Sequence, residues 1–155
     1  VCIGGNPIGC EKPGWEFNFG NDVEAANTVL HCGGDIWMIP NNVYGTMHIG
    51  FGEIQRRIAP YGEIGRLLYE NLISFYETEN ASWSAGESWS LGDSPAVGVT
   101  LEPNCGSFMY CKAPEVQEDT SYRYPENSPQ IRVYTSINSR FIIEDFISKL
   151  QILYG

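Results

Sequence analysis

The sequence predicts an α/β fold in which helices flank an open, mostly parallel sheet. Residues 1–5 form a short apolar run that stops at two glycines, and residues 36–39 form a second one before Pro40. Short apolar runs bounded by turn residues are typical of strands buried in a parallel sheet. Residues 21–30 between them carry helix signals. A strand–loop–helix–strand order is a βαβ unit, which places both strands in parallel in one sheet.

The helix between these strands is predicted to begin at Asn21 and Asp22. Asp and Asn are preferred N-caps, and Glu24 follows in the first turn. The pair Gly33 and Gly34 is predicted to end the helix. Residues 6–20 are rich in Gly and Pro, and we predict a loop there.

The rest of the chain alternates helices and strands. Residues 51–58 and 62–78 are predicted helices, and the Ser-, Gly- and Trp-rich segment 80–93 is predicted to be a functional loop or a lid. A helix is expected from Ser94, with Pro95 in its first turn and Pro103 after its end. The remaining predictions are strands at 108–112 and 131–136, a third strand near Tyr122, and a closing helix at 138–153.

Charge and composition limit the partners. The chain of 155 residues has a formal charge of −10, which argues against nucleic acid and fits a neutral or cationic small molecule. No apolar run reaches the roughly 18 to 20 residues of a membrane span, so no membrane partner is expected. Whether identical chains assemble stays open. The chain begins at Val1 with no Met, and we expect that it starts within a longer protein, so its signal status is unknown.

The five cysteines, none in a Cys-x-x-Cys pair, favour free thiols over a disulfide framework or a zinc site. We expect these thiols to be buried and the compartment to be reducing. A cytoplasmic location is the corresponding expectation.

The first candidate site follows the first strand. Glu16 and Asn18 are two residues apart, and in an extended segment both side chains would lie on one face. A carboxylate that accepts and an amide that both donates and accepts suit vicinal hydroxyls. The edge where parallel strands end is also where ligands bind in open α/β sheets. The alternative is an ordinary polar loop ahead of a helix.

The second candidate site is Asp93, where a loop enters a helix. A carboxylate there is either a helix N-cap or a hard oxygen ligand for Ca²⁺ or Mg²⁺. The residues alone leave both readings open.

Together these two stretches resemble the inosine–uridine-preferring nucleoside hydrolase family. The family has a strand ending in Gly-Gly, then a Gly-Asn-Val-Thr-Pro-x-x-Glu-Phe-Asn type segment and Asp-Pro-Glu-Ala-Ala at a helix start. This chain has Gly9-Cys10-Glu11-Lys12-Pro13-Gly14-Trp15-Glu16-Phe17-Asn18, then Asn21-Asp22-Val23-Glu24-Ala25-Ala26. The family's later His-Asp-x-x-Ala-Val segment resembles Gly92-Asp93-Ser94-Pro95-Ala96-Val97.

The resemblance implies hydrolysis of the N-glycosidic bond of ribonucleosides to free base and ribose, a reaction of purine and pyrimidine salvage. Members hold the ribose and the attacking water on Ca²⁺ bound by several aspartates. By position, Glu16 and Asn18 would bind the ribose, and Asp93 would be a Ca²⁺ ligand. Trp83 and Trp89 in the loop could stack on the base.

Three departures from the family pattern bear on activity. The family's aspartate-rich segment is absent, so residues 1–155 are interpreted as the C-terminal part of a single nucleoside-hydrolase-like domain and are expected to be inactive alone. No catalytic residue is assigned within the chain. Cys10 replaces the family's loop asparagine, and Gly92 replaces a histidine. The alternative is a diverged, non-catalytic protein of the same fold that binds a sugar or nucleoside.

Overall fold

The computed structural model describes residues 1–84 and 86–155. Ala85, which falls in the predicted loop 80–93, lies outside the described residues. The chain divides into two compact units. We call residues 1–45 with 93–138 the sheet unit, and residues 46–92 with 139–155 the helical unit.

The elements follow one another along the chain. The first half contains β1 (Cys2–Ile3), α1 (Phe17–Gly20), α2 (Val23–Leu30), β2 (Trp37–Ile39), α3 (Asn41–Tyr44), β3 (His48–Gly50), α4 (Phe51–Arg57) and α5 (Gly62–Tyr76). A single 3-10 turn at Glu79–Ala81 leads into the second half. There follow β4 (Ser88–Ser90), α6 (Ser94–Leu101), β5 (Gly106–Lys112), β6 (Glu115–Val116), β7 (Tyr122–Arg123), β8 (Gln130–Ile137) and α7 (Ser139–Tyr154).

The sheet unit is built on a four-stranded sheet in the order β1-β2-β8-β5. β1 pairs with β2 in parallel, β2 pairs with β8 in parallel, and β5 pairs with β8 antiparallel. The predicted βαβ unit is therefore present, and the open sheet with mostly parallel pairings and flanking helices is confirmed. Strands β6 and β7 form a separate short hairpin.

One face of this sheet packs against α2 and the β6–β7 hairpin. Asp22 caps α2 as predicted, because its side chain accepts a hydrogen bond of 2.8 Å from the Ala25 N–H. Side chains that alternate along β2 and β8 point to this face, as the two-residue period of a strand requires. The resulting apolar core comprises Phe19, Leu30, Met38, Ala113, Val116, Ile131 and Val133.

The helical unit has its own core between α4, α5 and α7, beside the antiparallel pair of β3 and β4. Its buried members are Ile49, Ile54, Ile58, Ile147 and Leu150. Arg57 in α4 forms a two-pronged ion pair with Glu144 in α7, at 2.8 and 2.6 Å. No helix within residues 1–84 and 86–155 has both the length and the apolar character to cross a membrane.

Three local predictions were wrong. Residues 17–20 form α1 rather than loop, since Glu16 supplies an N-cap that the Gly- and Pro-rich composition hid. Residues 88–90, predicted as loop, pair with β3 as a strand. The free thiols are not all buried: Cys105 is buried, whereas Cys10 and Cys32 are exposed.

Candidate functional site

The candidate site lies where β1 and β2 end side by side. The ladder continues past both strands, because the Gly4 N–H donates to the Ile39 carbonyl at 3.0 Å and the Asn41 N–H donates to the Gly5 carbonyl at 2.9 Å. The carboxyl ends of these parallel strands therefore form one edge, the position where open α/β sheets bind ligands.

Gly5 makes this edge accessible to the loop that follows. Its φ of +86° lies in the left-handed region that favours glycine. A Cβ at this position would collide with the Tyr122 hydroxyl and the Phe19 ring. Glycine is therefore favoured at this position, whose N–H donates to the Glu16 carboxylate.

Glu16 is the N-cap of α1 and is only 2% exposed. Its Oε2 accepts from the N–H groups of Gly5 at 2.8 Å and Phe19 at 2.9 Å. Its Oε1 accepts from the Asn18 N–H at 3.1 Å and the Tyr44 hydroxyl at 2.7 Å. A carboxylate has about four lone-pair sites, so this one is fully used by the protein itself.

The predicted extended arrangement of Glu16 and Asn18 was wrong. Glu16 has extended backbone angles, but Asn18 already lies in the first turn of α1. Residues two apart in a helix do not share a face. The two residues are still neighbours, because the Asn18 N–H binds the Glu16 carboxylate.

Tyr44, at the end of α3, completes the hydrogen bonding of Glu16. It is half-buried, and burial raises the pKa of its hydroxyl well above the ordinary value. The hydrogen bond to Glu16 and the negative charges of Glu16 and Asp93 raise that pKa further. The hydroxyl proton is therefore held firmly and directed at Glu16.

Asn18 and Asp93 offer unused polar groups near this point. Asp93 occupies the N-cap position of α6 but makes no capping hydrogen bond with its side chain, and it is exposed. The half-buried Asn18 amide likewise forms no side-chain hydrogen bond within the described part of the chain. Asp93 lies near enough to Tyr44 for its charge to act on that hydroxyl. The charge of Asp93 therefore acts on the same hydroxyl that donates to Glu16.

A buried polar network holds the segment that carries Glu16. Thr120, in the turn between β6 and β7, has φ +62°, an uncommon conformation for a β-branched residue. Its Oγ1 accepts from the Glu16 N–H at 2.8 Å and donates to the Gly14 carbonyl at 3.2 Å. The Asn6 amide donates to the carbonyls of Gly14 and Thr120 at 3.0 and 3.1 Å. The hairpin therefore braces the loop on which the site depends.

A surface cavity of about 240 Å³ lies between that loop and the β6–β7 hairpin. Cys10, the residue at the family's asparagine position, is exposed and lines it together with Tyr122 and Tyr124. Glu16, Asn18 and Asp93 are not among its lining residues. The cavity is therefore adjacent to the loop but separate from the predicted ribose-facing residues.

Trp83 and Trp89 belong to the helical unit. Their rings contact each other in a tilted arrangement with centroids 5.3 Å apart, and Phe75 meets Trp89 edge-on at 5.6 Å. Trp89 also packs against the core of that unit, whereas Trp83 is exposed. Of the pair, Trp83 has the free surface that stacking on a base requires.

Asp93 is the one calcium ligand that the sequence predicts in this chain. No group of three or more His, Cys, Asp or Glu side chains converges within residues 1–84 and 86–155. Ca²⁺ takes about six to eight oxygen ligands. The Asp93 carboxylate can be one such ligand. A complete Ca²⁺ site would need further oxygen ligands beside it.

Tyr44, Asn6, Asn41 and Thr120 were missed in the sequence. A weak signal existed for two of them, since Asn41 and Tyr44 directly follow a predicted strand, where site residues concentrate in parallel sheets. Asn6 and Thr120 are 114 residues apart. No local pattern connects them.

Both the fold and the sequence of this chain have known relatives. The structure is similar to that of a plant nucleoside hydrolase, the PpNRh1 enzyme, with a TM-score of 0.74 at 15% sequence identity. The match covers 86% of this chain and 46% of the plant enzyme, so the chain spans about half of that protein. A search of curated proteins found no match. The sequence model of the inosine-uridine preferring nucleoside hydrolases matches residues 1–143. The chain therefore belongs to the inosine-uridine preferring nucleoside hydrolase family.

Proposed function

We propose that this chain forms the sugar-binding part of an N-glycosyl hydrolase that splits ribonucleosides into free base and ribose. The observation that carries the proposal is the set of hydrogen-bond acceptors at the ends of β1 and β2, in a chain of this family. The side chains of Asn18 and Asp93 present unused polar groups, and the Asn18 N–H binds the Glu16 carboxylate. A ribose presents hydroxyl donors, which such a set complements.

The charge of the site suits the reaction. Cleavage of a glycosidic bond passes through a transition state in which positive charge develops on the sugar. Fixed carboxylates near the sugar stabilise that charge more than they stabilise the neutral substrate, which is the condition for catalysis. Glu16 and Asp93 would supply two such charges. Salvage of purine and pyrimidine bases is the role that this reaction would serve.

Calcium enters the proposal only through Asp93. Its carboxylate is exposed and makes no capping hydrogen bond, so it could be one ligand of a Ca²⁺ ion. The other ligands would come from outside residues 1–155. Such an ion would hold the sugar hydroxyls and a water molecule when bound. The base contact expected of Trp83 and Trp89 stays a prediction from the sequence.

A second candidate is a non-catalytic protein of the same fold that binds a sugar or nucleoside. Two observations favour it. Cys10 and Gly92 stand where the family has an asparagine and a histidine, and thiols are poor hydrogen-bonding partners for a sugar. The acceptor set would then recognise the ligand without any bond being broken.

Release of ribose distinguishes the two candidates. The natural polypeptide that contains residues 1–155 would be incubated with inosine and with uridine, with and without a calcium chelator. The hydrolase proposal expects ribose to appear and the chelator to suppress it. Binding of nucleoside without release of ribose from either substrate would establish the second candidate instead.

The isolated chain provides a matched control. It should release no ribose, and calorimetry should detect no calcium binding of useful affinity, because one carboxylate cannot supply the ligand set. Tight calcium binding by the 155-residue chain would contradict the assignment of Asp93 as a single ligand. In the longer polypeptide, Asp93→Ala should weaken calcium binding at least about tenfold.

A further inference from the structure

We infer that Thr120, in the turn between β6 and β7, is a positioning residue that holds Glu16 in the place that the nucleoside site requires. The inference rests on the proposed function. Thr120 is only 1% exposed, so it is too buried to contact a ligand directly and acts through its neighbours. It lies outside the sequence motifs, 104 residues from Glu16 along the chain.

The backbone of Thr120 is the first observation. Its φ of +62° lies in the left-handed region, which glycine adopts readily and β-branched residues avoid. The Thr120 N–H donates to the Gln117 carbonyl at 2.8 Å, and the Gln117 N–H donates to the Ser121 carbonyl at 2.9 Å. These turn-closing bonds do not involve the Thr120 side chain, so glycine would form the same turn with less strain. Strained residues of this kind are typical of functional regions.

The hydroxyl of Thr120 is the second observation. Its Oγ1 accepts from the Glu16 N–H at 2.8 Å and donates to the Gly14 carbonyl at 3.2 Å, so both bonds are made to the segment just before α1. The Asn6 amide, on a residue that is 2% exposed, donates to the carbonyls of Gly14 and Thr120. Without the hydroxyl, the Glu16 N–H would be a buried donor that has lost its acceptor.

Glu16 is thereby held from two sides. The hairpin fixes its N–H, and the N–H groups of Gly5 and Phe19 fix its carboxylate. A binding site keeps its affinity only while its side chains stay within roughly 0.5 Å of the productive geometry. Release of the Glu16 N–H would free residues 14–16 to move. We therefore expect the nucleoside affinity to fall when the Thr120 hydroxyl is removed.

Three substitutions separate the hydroxyl of Thr120 from the strain of its backbone. Thr120→Val removes the hydroxyl and keeps the side-chain shape, whereas Thr120→Ser keeps the hydroxyl. Thr120→Gly removes the hydroxyl but suits the backbone conformation, so it should fold even if the valine variant does not. The natural polypeptide that contains residues 1–155 would be titrated with uridine by calorimetry, and KM and kcat would be measured wherever ribose is released. We expect the valine and glycine variants to bind uridine about tenfold more weakly, and the serine variant to stay within about twofold of the wild type.

Ile147→Ala and Ser121→Ala are the controls. Ile147 lies in the core of the helical unit, so its truncation lowers stability without touching the hydrogen bonds of Thr120. Ser121 is the next residue of the same turn. Both controls should bind uridine as the wild type does at a temperature where they are folded. Hydrogen exchange at the Glu16 amide should accelerate in Thr120→Val and Thr120→Gly, and it should not accelerate in Thr120→Ser or in the controls.

Three outcomes would overturn the inference. The first is normal uridine binding by a folded Thr120→Gly protein. The second is an equal loss in Thr120→Ser, because the hydroxyl would then not be the cause. The third is an equal loss in Ile147→Ala, because general stability would then explain the effect. If the wild type neither binds nor cleaves uridine or inosine, the proposed function is wrong and this inference falls with it, and that outcome is seen before any variant is made.

Discussion

The Glu16 carboxylate of the sheet unit and the ion pairs around Arg57 in the helical unit lie in opposite environments. In the sheet unit, the Glu16 carboxylate is buried and accepts four hydrogen bonds from the protein. In the helical unit, Arg57, Glu53 and Glu144 form ion pairs whose side chains remain a third or more exposed. Because Glu16 is buried, loss of its hydrogen bonds would leave buried groups without partners. The ion pairs of Arg57 are weakened by solvent screening and contribute less to stability.

The buried Glu16 carboxylate marks the candidate functional region of the molecule. A buried carboxylate is costly unless every acceptor site is filled, so its presence requires a precisely built loop. The strained turn at Thr120 and the glycine at position 5 serve that loop. In the helical unit, apolar packing carries the structure, and the polar groups lie around it. The buried polar loop of the sheet unit, rather than the apolar core of the helical unit, is therefore the candidate functional site.

Glu16→Ala should have the largest effect. It leaves the N–H groups of Gly5 and Phe19 and the hydroxyl of Tyr44 without their acceptor. We expect a loss of about 3 to 5 kcal/mol in the free energy of unfolding, because buried donors without partners cost roughly 1 to 3 kcal/mol each. Urea unfolding measures the loss, and hydrogen exchange should place it in the sheet unit. Glu53→Ala should cost less than about 1 kcal/mol, and an equal cost would remove the contrast between the units.

Ile147→Ala should have the next largest effect and should act in the helical unit. Ile147 is fully buried among Ile54, Ile58 and Leu150. Truncation removes apolar contact and leaves a cavity, which costs about 2 to 4 kcal/mol. The control is Ile152→Ala on the same helix, where the side chain is 81% exposed and the change should be close to neutral. Increased exchange that is confined to the sheet unit would contradict the division of the core.

Alkaline pH should weaken the sheet unit selectively. Burial raises the pKa values of Tyr44 and Tyr122, so both favour the protonated form in the folded state. Their contribution is complete below about pH 10, the ordinary tyrosine value, and is lost as pH rises toward the raised folded pKa. At pH 11 we expect a lower free energy of unfolding, measured by urea unfolding, and a smaller loss in Tyr44→Phe. If hydrogen exchange at high pH increased first at amides of the helical unit, ionisation of Tyr44 and Tyr122 would not be the cause.

The Arg57 and Glu144 pair should give the smallest effect. The adjacent guanidinium lowers the pKa of Glu144, so its contribution is present above the ordinary carboxyl value near 4.3 and is lost as pH falls through the lowered folded value. Arg57→Gln should cost less than about 1 kcal/mol at neutral pH, and added salt should shrink the difference. Thermal unfolding at low and high salt measures it. A large, salt-independent loss would show that this pair behaves like a buried one.

Most of the sheet unit could be predicted from local patterns. The strands at 1–5 and 36–39, the cap at Asp22 and the helix beginning at Ser94 all depend on neighbouring residues. Short elements made by distant partners could not be predicted in this way. β4 exists because residues 88–90 pair with residues 48–50, and α1 exists because Glu16 caps it.

The candidate site was only partly predictable for the same reason. Glu16, Asn18 and Asp93 were recognised by residue type and motif order, and their assignment to ribose and calcium remains a prediction. Tyr44 and Thr120 carry no motif, since their roles come from contacts with Glu16 and, for Thr120, with the loop before it. Their importance is a property of the folded loop, which hydrogen bonds between distant residues create.

The sequence by itself indicated the family through the order of its motifs, and the α/β class through the periodicity of its apolar residues. The position of the candidate site after β1 stays a prediction. Only the tertiary structure decided what each site residue can do. It buries Glu16, whose carboxylate accepts four hydrogen bonds, one of them from the Tyr44 hydroxyl. It leaves the Asp93 side chain exposed and without a capping hydrogen bond. The physical reason is that a hydrogen-bonding group has a fixed number of donor or acceptor sites. Whether those sites are already filled depends on neighbours that only folding brings together.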